Sequence, residues 1–278
     1  MSNSPSPETR TIGGIPLSWY RWLPSGTPRG ALFFFHGQGD FAERYQDIAE
    51  ILLSQNLAFL TCDLPGHGNS PGIRGHIPSL ELIEAISLEG ITQARKASPN
   101  GLLGLGGHSM GGLLALHSLQ TTRQTIDFSW ISSPLLVPEA GQPEWKTKVL
   151  KPLAKIIPTL PVSTGVRAEL CREYLPGESK TNHLLFHNLV SLGWGSKLIT
   201  LGQQVRSHTS QLPNDLQLFL TQGGQDRICP PEHCHQFVET LSLPNLLFKF
   251  YQDARHEPFA DTSRKDLFEV MRNWLAEI

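Results

Sequence analysis

The chain has 278 residues, of which 39% are hydrophobic and 17% charged, and its 23 lysines and arginines against 25 aspartates and glutamates give a formal net charge of −2. This length and apolar content predict a globular protein with one core domain that carries a large insertion. The nearly neutral balance argues against a nucleic-acid binder, which needs a clustered basic face, and the longest apolar run, Ala31–Phe35, is too short to span a bilayer.

The first residues are expected to be disordered. Met1–Arg10 is rich in serine and proline and lacks the apolar stretch that a signal peptide requires. We therefore interpret residues 1–10 as a disordered lead-in to a cytoplasmic protein. The Gly13-Gly14 pair that follows, ahead of the alternating segment Ile15–Trp22, predicts a hairpin turn and an antiparallel start of the sheet.

From Ala31 onward, short apolar runs alternate with segments of helical periodicity, a pattern typical of a parallel sheet with crossover helices. The predicted strands are Ala31–Phe35, Leu57–Cys62, Gly101–Gly106, Ile126–Ile131, Leu216–Thr221 and Leu246–Tyr251. The predicted helices are Arg44–Ser54, Leu80–Ala97, Gly111–Thr122, Pro231–Leu241 and Ser263–Ile278. The pattern predicts an α/β fold with a mostly parallel central sheet flanked by helices.

One interval is too long for a simple crossover. About 80 residues separate the strands that end near Ile131 and begin near Leu216, where a helix and two short loops would suffice. We therefore expect residues 134–213 to form an inserted helical cap on a core of residues 11–133 and 214–278. Within it, Lys146–Leu160 has an amphipathic pattern interrupted by Pro152 and Pro158, which predicts a cap helix that packs on the core or a surface that also touches lipid.

The cysteines favour a reducing compartment rather than a disulfide framework. They are four in a long chain: Cys62, Cys171, Cys229 and Cys234. Cys229, His233, Cys234 and His235 are zinc-type ligands close together, but no second ligand pair stands elsewhere in the chain, as a structural zinc site would need. We predict neither a metal nor another cofactor.

The most informative string is Gly107–Gly111, GHSMG, which fits the pattern GxSxG between a predicted strand and a predicted helix. In this context the pattern indicates a nucleophile elbow, a turn so tight that its flanking residues must be glycine and its serine hydroxyl is exposed above the sheet. Ser109 is therefore the predicted nucleophile. A glycine-rich turn without function is the alternative.

A serine nucleophile needs a histidine base that an acid holds in one tautomer, and in this type of fold the acid precedes the histidine in the chain. Asp226 follows a predicted strand through a glycine-rich loop, whereas Asp215 precedes that strand and would lie at the wrong end of the sheet. His256 is the one histidine after the last predicted strand. The predicted triad is Ser109, Asp226 and His256.

Acyl transfer also needs donors for the oxyanion that forms in the transition state. The backbone N–H of Met110, directly after the nucleophile, is one candidate. The loop His36-Gly37-Gln38-Gly39 follows the strand Ala31–Phe35 and nominates the backbone N–H of Gln38 as the other. We expect the identity of the side chain at position 38 to matter less than the backbone geometry that its glycine neighbours permit.

Together these motifs resemble the monoacylglycerol lipase and lysophospholipase branch of the α/β-hydrolase fold, which includes serine aminopeptidase-like hydrolases. The strings are HGQGDFAERY, DLPGHGNS, GHSMGG, GQD and ARHE, and the resemblance covers roughly Trp19–Trp274. It implies the same triad and oxyanion donors, and an insertion that forms a lid over an acyl-chain tunnel. The expected activity is hydrolysis of a carboxylic ester, monoacylglycerol or lysophospholipid, through an acyl-enzyme on Ser109.

The chain departs from the family pattern near the expected alcohol pocket. Asp40 and Phe41 stand where the family commonly has Glu and His, while Arg44-Tyr45 matches. The resemblance places substrate contacts at Asp40, Arg44 and Phe259, and phenylalanine offers no polar group. A less polar pocket would suit short esters or thioesters, and Asp40 with Arg44 would equally suit a surface ion pair at a helix start.

Other classes of function remain open at this point. Gly37–Ala42 fits the GxGxxA pattern of a nicotinamide oxidoreductase, and a hydrolase fold can also serve a non-catalytic ligand-binding protein. A serine aminopeptidase would need an acidic grip on the free amine, for which the cap offers Glu139, Glu169 and Glu173. We expect a small ester or lipid substrate and a cytoplasmic protein whose cap can contact a membrane surface transiently. The oligomeric state stays undetermined.

Overall fold

The computed structural model describes residues 7–140, 152–173 and 184–278, and its core is a single eight-stranded sheet. The strands are β1 (Glu8–Ile12), β2 (Ile15–Trp22), β3 (Gly30–Phe35), β4 (Leu57–Cys62), β5 (Leu102–His108), β6 (Phe128–Ser132), β7 (Pro161–Ser163), β8 (Leu189–Ser191), β9 (Gln217–Gly223) and β10 (Leu246–Tyr251). The order across the sheet is β1-β2-β4-β3-β5-β6-β9-β10, and β7 pairs with β8 in a separate two-stranded sheet.

Helices cover both faces of the large sheet. They are α1 (Gln46–Ser54), α2 (Leu80–Ala97), α3 (Met110–Thr121), α4 (Ala168–Cys171), α5 (Leu192–Ser207), α6 (Pro231–Glu239) and α7 (Arg264–Glu277), with short 3-10 turns at Ala42–Tyr45 and Thr209–Gln211. One hydrophobic cluster packs α2 and α3 against the sheet, and a second packs α1 and α7 on the opposite face. The predicted strands and helices of the core are confirmed, with bounds that differ by a few residues.

The direction of the strands positions the candidate site. In the large sheet β1 pairs with β2 and β2 with β4 in antiparallel fashion, while every further pair across that sheet, from β4-β3 to β9-β10, is parallel. The carboxyl ends of parallel strands meet at one edge of a sheet, where α/β proteins place their ligands. The loops after β3, β5, β9 and β10, which carry the residues predicted for catalysis, therefore converge.

The expectation of disorder up to residue 10 is wrong for residues 8–10. Glu8–Ile12 pairs in register with β2, from Glu8 opposite Trp19 to Ile12 opposite Ile15. Charged side chains also hold the strand, since Glu8 pairs with Arg10 and with Arg21. The predicted hairpin therefore begins before residue 11, because the turn at Gly13-Gly14 brings both arms together.

The chain between β6 and β9 adds no described strand to the large sheet. It contains β7, β8, α4 and α5, and residues 152–156 are helical. The first part of the predicted amphipathic segment, residues 146–151, lies outside the described residues. In its second part Ala154 is buried, whereas Ile156, Ile157 and Leu160 are 76%, 43% and 39% exposed. Within the described ranges, every helix is too short or too polar to cross a membrane.

Candidate active site

Ser109 occupies the sharp turn between β5 and α3, as predicted for a nucleophile elbow. Its backbone angles are φ 56° and ψ −119°, in a region that non-glycine residues rarely adopt. The N–H of Ser109 donates to Ser132 O at 2.9 Å, and its carbonyl accepts from Leu113 N at 3.1 Å. These bonds stabilise the strained turn and leave the serine at the start of a helix, where it lines a cavity.

The glycines of the motif are required by close backbone contacts. A Cβ on Gly107 would lie 2.2 Å from the carbonyl oxygen of Gly111. A Cβ on Gly111 would lie 2.1 Å from the carbonyl oxygen of Phe35, in the strand next to β5. The turn therefore closes only when both positions lack a side chain.

Asp226 and His256 are brought together from different loops. Nδ1 of His256 lies 2.8 Å from Oδ2 of Asp226, and both residues are buried. The other carboxylate oxygen, Oδ1, accepts the N–H groups of Ile228 and Cys229 at 2.8 and 2.9 Å. Asp226 is thus held by its own loop with one oxygen facing the imidazole. Asp215 precedes β9, at the opposite end of that strand.

The surroundings of His256 raise its pKa above the value that a histidine has in water. Burial by itself lowers the pKa of His256, but the carboxylate of Asp226, together with those of Glu257 and Asp40, outweighs burial and raises the pKa. No hydrogen bond links the Ser109 hydroxyl to His256 in the described residues. Catalytic hydrogen bonds often tighten only when substrate is bound, so the arrangement still suits a general base.

His108 packs directly against the triad histidine. The ring centroids of His108 and His256 are 4.7 Å apart. Burial lowers the pKa of His108 well below its usual value, so this ring is neutral. Its Nδ1 lies 3.3 Å from Ser132 Oγ. The neutral ring orients His256 by contact without adding a charge to the site.

The backbone N–H groups proposed for the oxyanion flank Ser109. Met110 is the first residue of α3, so its N–H has no acceptor in its own helix. Gln38 follows β3, and its N–H makes no hydrogen bond within the described residues. Gln38 lines the cavity next to Ser109, and Met110 adjoins Ser109 in the chain. Neither N–H has an acceptor among the described residues, so both are free to donate to an oxyanion.

A buried network of charged groups surrounds His256 on the side of Arg44. The guanidinium of Arg44 pairs with Asp40 at 2.9 Å and with Glu257 at 2.7 Å. Tyr45 donates its hydroxyl to the second oxygen of Asp40 at 2.7 Å. Burial would raise the pKa of Glu257, but the charge of Arg44 lowers it, so Glu257 is ionised. The ion pair of Asp40 with Arg44 considered from sequence is present, but it does not lie at the surface, since the side chain of Asp40 is only 4% exposed.

Phe259 does not line the cavity, unlike Asp40 and Arg44. It is 6% exposed, and its ring packs edge-on against His108 with the centroids 5.0 Å apart. The turn after His256 directs Glu257 into the cavity and Phe259 into the core. The structure therefore does not support the expected substrate contact at Phe259, and the less polar pocket loses the observation from which it was inferred.

Ser109 and His256 line a cavity of about 350 Å³. This is within the usual range for a small-molecule site, roughly 300 to 1,000 Å³. Polar groups at its base include Ser109, His256, Arg44 and Glu257. Its apolar walls come largely from the insertion: Val162, Val166, Leu170, Val190, Leu192, Leu198 and Ile199. The arrangement suits a molecule with an apolar chain and a polar group at the nucleophile.

Two groups in the site were missed from the sequence. Glu257 adjoins His256 in the chain, and this proximity was the available signal. Cys229 lies three residues after Asp226, and its Sγ is within 4.8 Å of the ligand-type atoms of Asp226 and His256. Burial raises the pKa of the Cys229 thiol, while a hydrogen bond with Ser109 lowers it less strongly. Because Asp226 and His256 already bind each other, this group does not offer a free set of metal ligands.

The structure bears on two of the alternative functions considered from sequence, a nicotinamide oxidoreductase and a serine aminopeptidase. The Gly37–Ala42 loop is covered by the insertion, since His187 N donates to Gly39 O at 2.9 Å and a Cβ on Gly39 would collide with His187 O. His187 thus occupies the space beside Gly39 that the pyrophosphate of a dinucleotide would need in order to approach this glycine closely. Of the three glutamates nominated to grip an amine, Glu139 lines the cavity, whereas Glu169 and Glu173 do not, and Glu173 pairs with Arg255 at 3.8 Å.

The raised pKa of His256 predicts the acid limb of the pH profile. If His256 is the base, kcat/KM falls as the pH drops through a pKa above the usual histidine value, because the protonated ring cannot accept the Ser109 proton. Glu257→Gln removes one of the negative charges that stabilise the imidazolium, so we expect the limb to move to lower pH. The measurement is kcat/KM for a short soluble ester from about pH 5 to 9.

The matched control is Glu277→Gln, because Glu277 is exposed in the last helix. This substitution should not shift the acid limb of the pH profile. A limb that stays in place in Glu257→Gln as well would contradict the electrostatic coupling.

Comparisons with known proteins agree with this geometry. Residues 26–263 match the family model described as serine aminopeptidase, S33. Monoglyceride lipase of Rattus norvegicus is 27% identical over 92% of this chain and 83% of its own length. An uncharacterised abhydrolase domain-containing protein of Dictyostelium discoideum is 27% identical, and the chain spans 28% of its length. The crystal structure of Paleococcus ferrophilus monoacylglycerol lipase has a TM-score of 0.81 at 26% identity, covering 94% of this chain and 98% of that one.

Proposed function

Because this chain belongs to the serine aminopeptidase S33 family of α/β-hydrolases, we propose that Ser109, Asp226 and His256 cleave a long-chain ester with a neutral alcohol head group, such as a monoacylglycerol. Hydrolysis of carboxylic esters is the activity of its lipase relatives and of this chain. The observation that carries the proposal is the cavity, in which apolar walls from residues 134–213 meet Ser109 and a charged network. We take residues 134–213 as the lid and residues 11–133 and 214–278 as the catalytic core.

The proposed reaction proceeds through an acyl-enzyme. His256 accepts the proton of Ser109 as the hydroxyl oxygen attacks the ester carbonyl, and Asp226 stabilises the imidazolium that forms. The backbone N–H groups of Gln38 and Met110 bind the oxyanion. The C–O bond to the alcohol breaks as His256 donates its proton to the leaving oxygen. Water then repeats the sequence on the acyl-enzyme and releases the carboxylic acid.

The position of the leaving alcohol determines which head group fits. The alcohol takes its proton from His256, so its substituents lie beside the groups clustered around His256. These are Asp40, Arg44 and Glu257, two carboxylates against one guanidinium. Glu139 and Arg227 also line the cavity, so its lining carries three carboxylates against two guanidinium groups, and a phosphate on the alcohol would meet a net negative pocket. Two like charges about 8 Å apart repel by about 2 kcal/mol at an effective dielectric of 20.

The test compares a long-chain monoacylglycerol with a lysophosphatidylglycerol of the same acyl chain, using Ser109→Ala as the blank. We expect kcat/KM to favour the neutral lipid by about tenfold or more. Glu257→Gln should narrow this ratio, since it removes one negative charge, and a ratio within one variant is insensitive to general loss of activity. Equal or faster turnover of the phospholipid would contradict the head-group proposal, and turnover of short esters alone would contradict the acyl tunnel.

We also propose that the protein is cytoplasmic and contacts a membrane surface transiently. All four cysteines are free thiols, in keeping with a reducing cytoplasm. The exposed apolar side chains Ile156, Ile157 and Leu160 follow Lys155 on the lid, a combination that suits transient contact with an anionic membrane surface.

We expect the triple change Ile156→Ser, Ile157→Ser and Leu160→Ser to weaken co-sedimentation with phosphatidylglycerol vesicles at least about threefold, because it removes apolar area from the lipid contact. Hydrolysis of a soluble short ester should be unchanged. The matched control is Leu88→Ser on α2, which is 55% exposed and should not affect vesicle binding. Equal loss of binding in both proteins would contradict a contact through the lid.

A further inference from the structure

One side chain of the insertion touches both residues that carry the proposed oxyanion donors, and we propose that Trp194 is a positioning residue that sets the geometry of the oxyanion hole. The indole N–H of Trp194 is shared between Oε1 of Gln38 at 3.2 Å and Sδ of Met110 at 3.3 Å. The inference rests on the proposed function, since it concerns the donors assigned there.

The side chain of Gln38 is held at both ends. Its oxygen accepts from Trp194, and its Nε2 donates to the carbonyl of Leu189 at 2.7 Å. Leu189 belongs to β8 and Trp194 to the first turn of α5, so both partners come from the insertion. The sequence-based expectation was that the side chain at position 38 matters less than the backbone geometry, whereas these contacts link the side chain to that geometry.

The loop needs such a constraint because no backbone hydrogen bond among the described residues holds Gln38 itself. Gly37 and Gly39 flank Gln38, and glycine loses more conformational entropy than any other residue when it is ordered. The turn closes through one long hydrogen bond, from Asp40 N to Gly37 O at 3.3 Å. The glycine carbonyls are held from outside the turn, since Gly37 O accepts from His36 Nδ1 at 2.7 Å and Gly39 O accepts from His187 N at 2.9 Å. None of these bonds involves the backbone of Gln38 itself. The direction of the Gln38 N–H therefore depends on what holds the side chain between the two glycines.

Trp194 is itself rigid. Its ring is fully buried, and its backbone N–H donates to the Ser191 hydroxyl that caps α5, at 3.2 Å. α5 packs along α3, the helix that begins at Met110, through the same hydrophobic cluster. The indole thus transmits the position of the insertion to both donors. Displacement of the lid away from the core would release the side chain of Gln38 and disrupt the geometry of the oxyanion hole.

The consequence for catalysis follows from the geometry of oxyanion stabilisation. Donors act when they lie about 2.7 to 3.1 Å from the position of the oxyanion, and loss of one donor typically costs 100- to 1,000-fold in kcat. A donor that is displaced but still present costs less. Trp194→Phe keeps most of the buried ring and removes the N–H. We expect it to lower kcat for p-nitrophenyl butyrate about tenfold, with KM nearly unchanged, because the contact acts in the transition state.

A boronic acid distinguishes this role from general support of the fold. Butylboronic acid forms a tetrahedral adduct on the serine with an oxygen in the hole, whereas the product butyrate does not. In Trp194→Phe the Ki of the boronic acid should rise by the same factor by which kcat/KM falls, while the Ki of butyrate stays constant. Gln38→Leu keeps the backbone donor, removes both anchors and should give the same pattern. The double variant, with Trp194→Phe and Gln38→Leu together, should lose no more kcat/KM than either single variant.

The matched control is Trp130→Phe. Trp130 is also fully buried, and its indole N–H donates to a side-chain oxygen, that of Thr221 at 3.3 Å. We expect it to lower thermal stability while the ratio of the boronate and butyrate Ki values stays that of the parent. An unchanged boronate Ki in Trp194→Phe and Gln38→Leu, or an equal rise in Trp130→Phe, would overturn the inference. Failure of the proposed function would differ, since hydrolysis would then persist in Ser109→Ala.

Discussion

Ser109→Ala should abolish nearly all ester hydrolysis, lowering kcat by about 10⁴- to 10⁶-fold. In the proposed reaction the Ser109 hydroxyl is the nucleophile, and without it no acyl-enzyme can form. The folded structure should survive, because the strain lies in the backbone at φ 56°, which alanine shares with serine. The measurement is turnover of a short ester together with labelling by a fluorophosphonate, which reacts with an activated serine.

Ser133→Ala is the matched control for this change. Ser133 is fully buried, has a positive φ of 43° and follows β6 next to the elbow, but it does not line the cavity. Its variant should keep activity within about fivefold and should label normally, as expected of a residue outside the reacting groups. Retention of more than a few per cent of activity in Ser109→Ala, or labelling of that variant, would exclude Ser109 as the nucleophile.

Asp226→Asn should cost about 10⁴-fold in kcat through the tautomer of His256. Oδ1 of Asp226 accepts two backbone N–H groups, at 2.8 and 2.9 Å, and an amide nitrogen cannot replace it there. Oδ2 accepts from one side-chain donor, Gln222 Nε2 at 3.1 Å, so the two backbone donors on Oδ1 decide the orientation of the amide. We therefore expect the asparagine to place its NH₂ where Oδ2 faces Nδ1 of His256. An NH₂ at that position donates to Nδ1, so the ring carries its proton on Nε2. His256 then cannot accept the Ser109 proton.

The tautomer argument has a spectroscopic readout and a control. The ¹⁵N shifts of His256 should indicate Nδ1–H in the parent protein at high pH and Nε2–H in Asp226→Asn. Asp215→Asn, at the opposite end of β9, changes the same type of side chain and should leave kcat unchanged. Comparable losses in the two variants would mean that the carboxylate at 226 does not orient the base.

The elbow and the alternation of strands and helices could be predicted because they are properties of short segments. GHSMG needs glycine wherever a Cβ would collide with the neighbouring turn, and this requirement is visible in five consecutive letters. A buried parallel strand must be apolar on both faces, so the strands stood out as apolar runs. Asp226 and His256 followed from the order of the loops, since parallel strands present their carboxyl ends at one edge.

What the sequence alone determined, then, is the class of fold, and from the sequence we also predicted the nucleophile and the position of its partners in the chain. The tertiary structure decided which distant side chains meet. Arg44 reaches Glu257 across 213 residues and Trp194 reaches Gln38 across 156, and neither pair leaves a periodic signal. It also decided that Phe259 packs in the core and Glu257 lines the cavity. Such contacts depend on how the insertion and the loops pack on the sheet, and packing between segments far apart in the chain is not encoded in any local pattern.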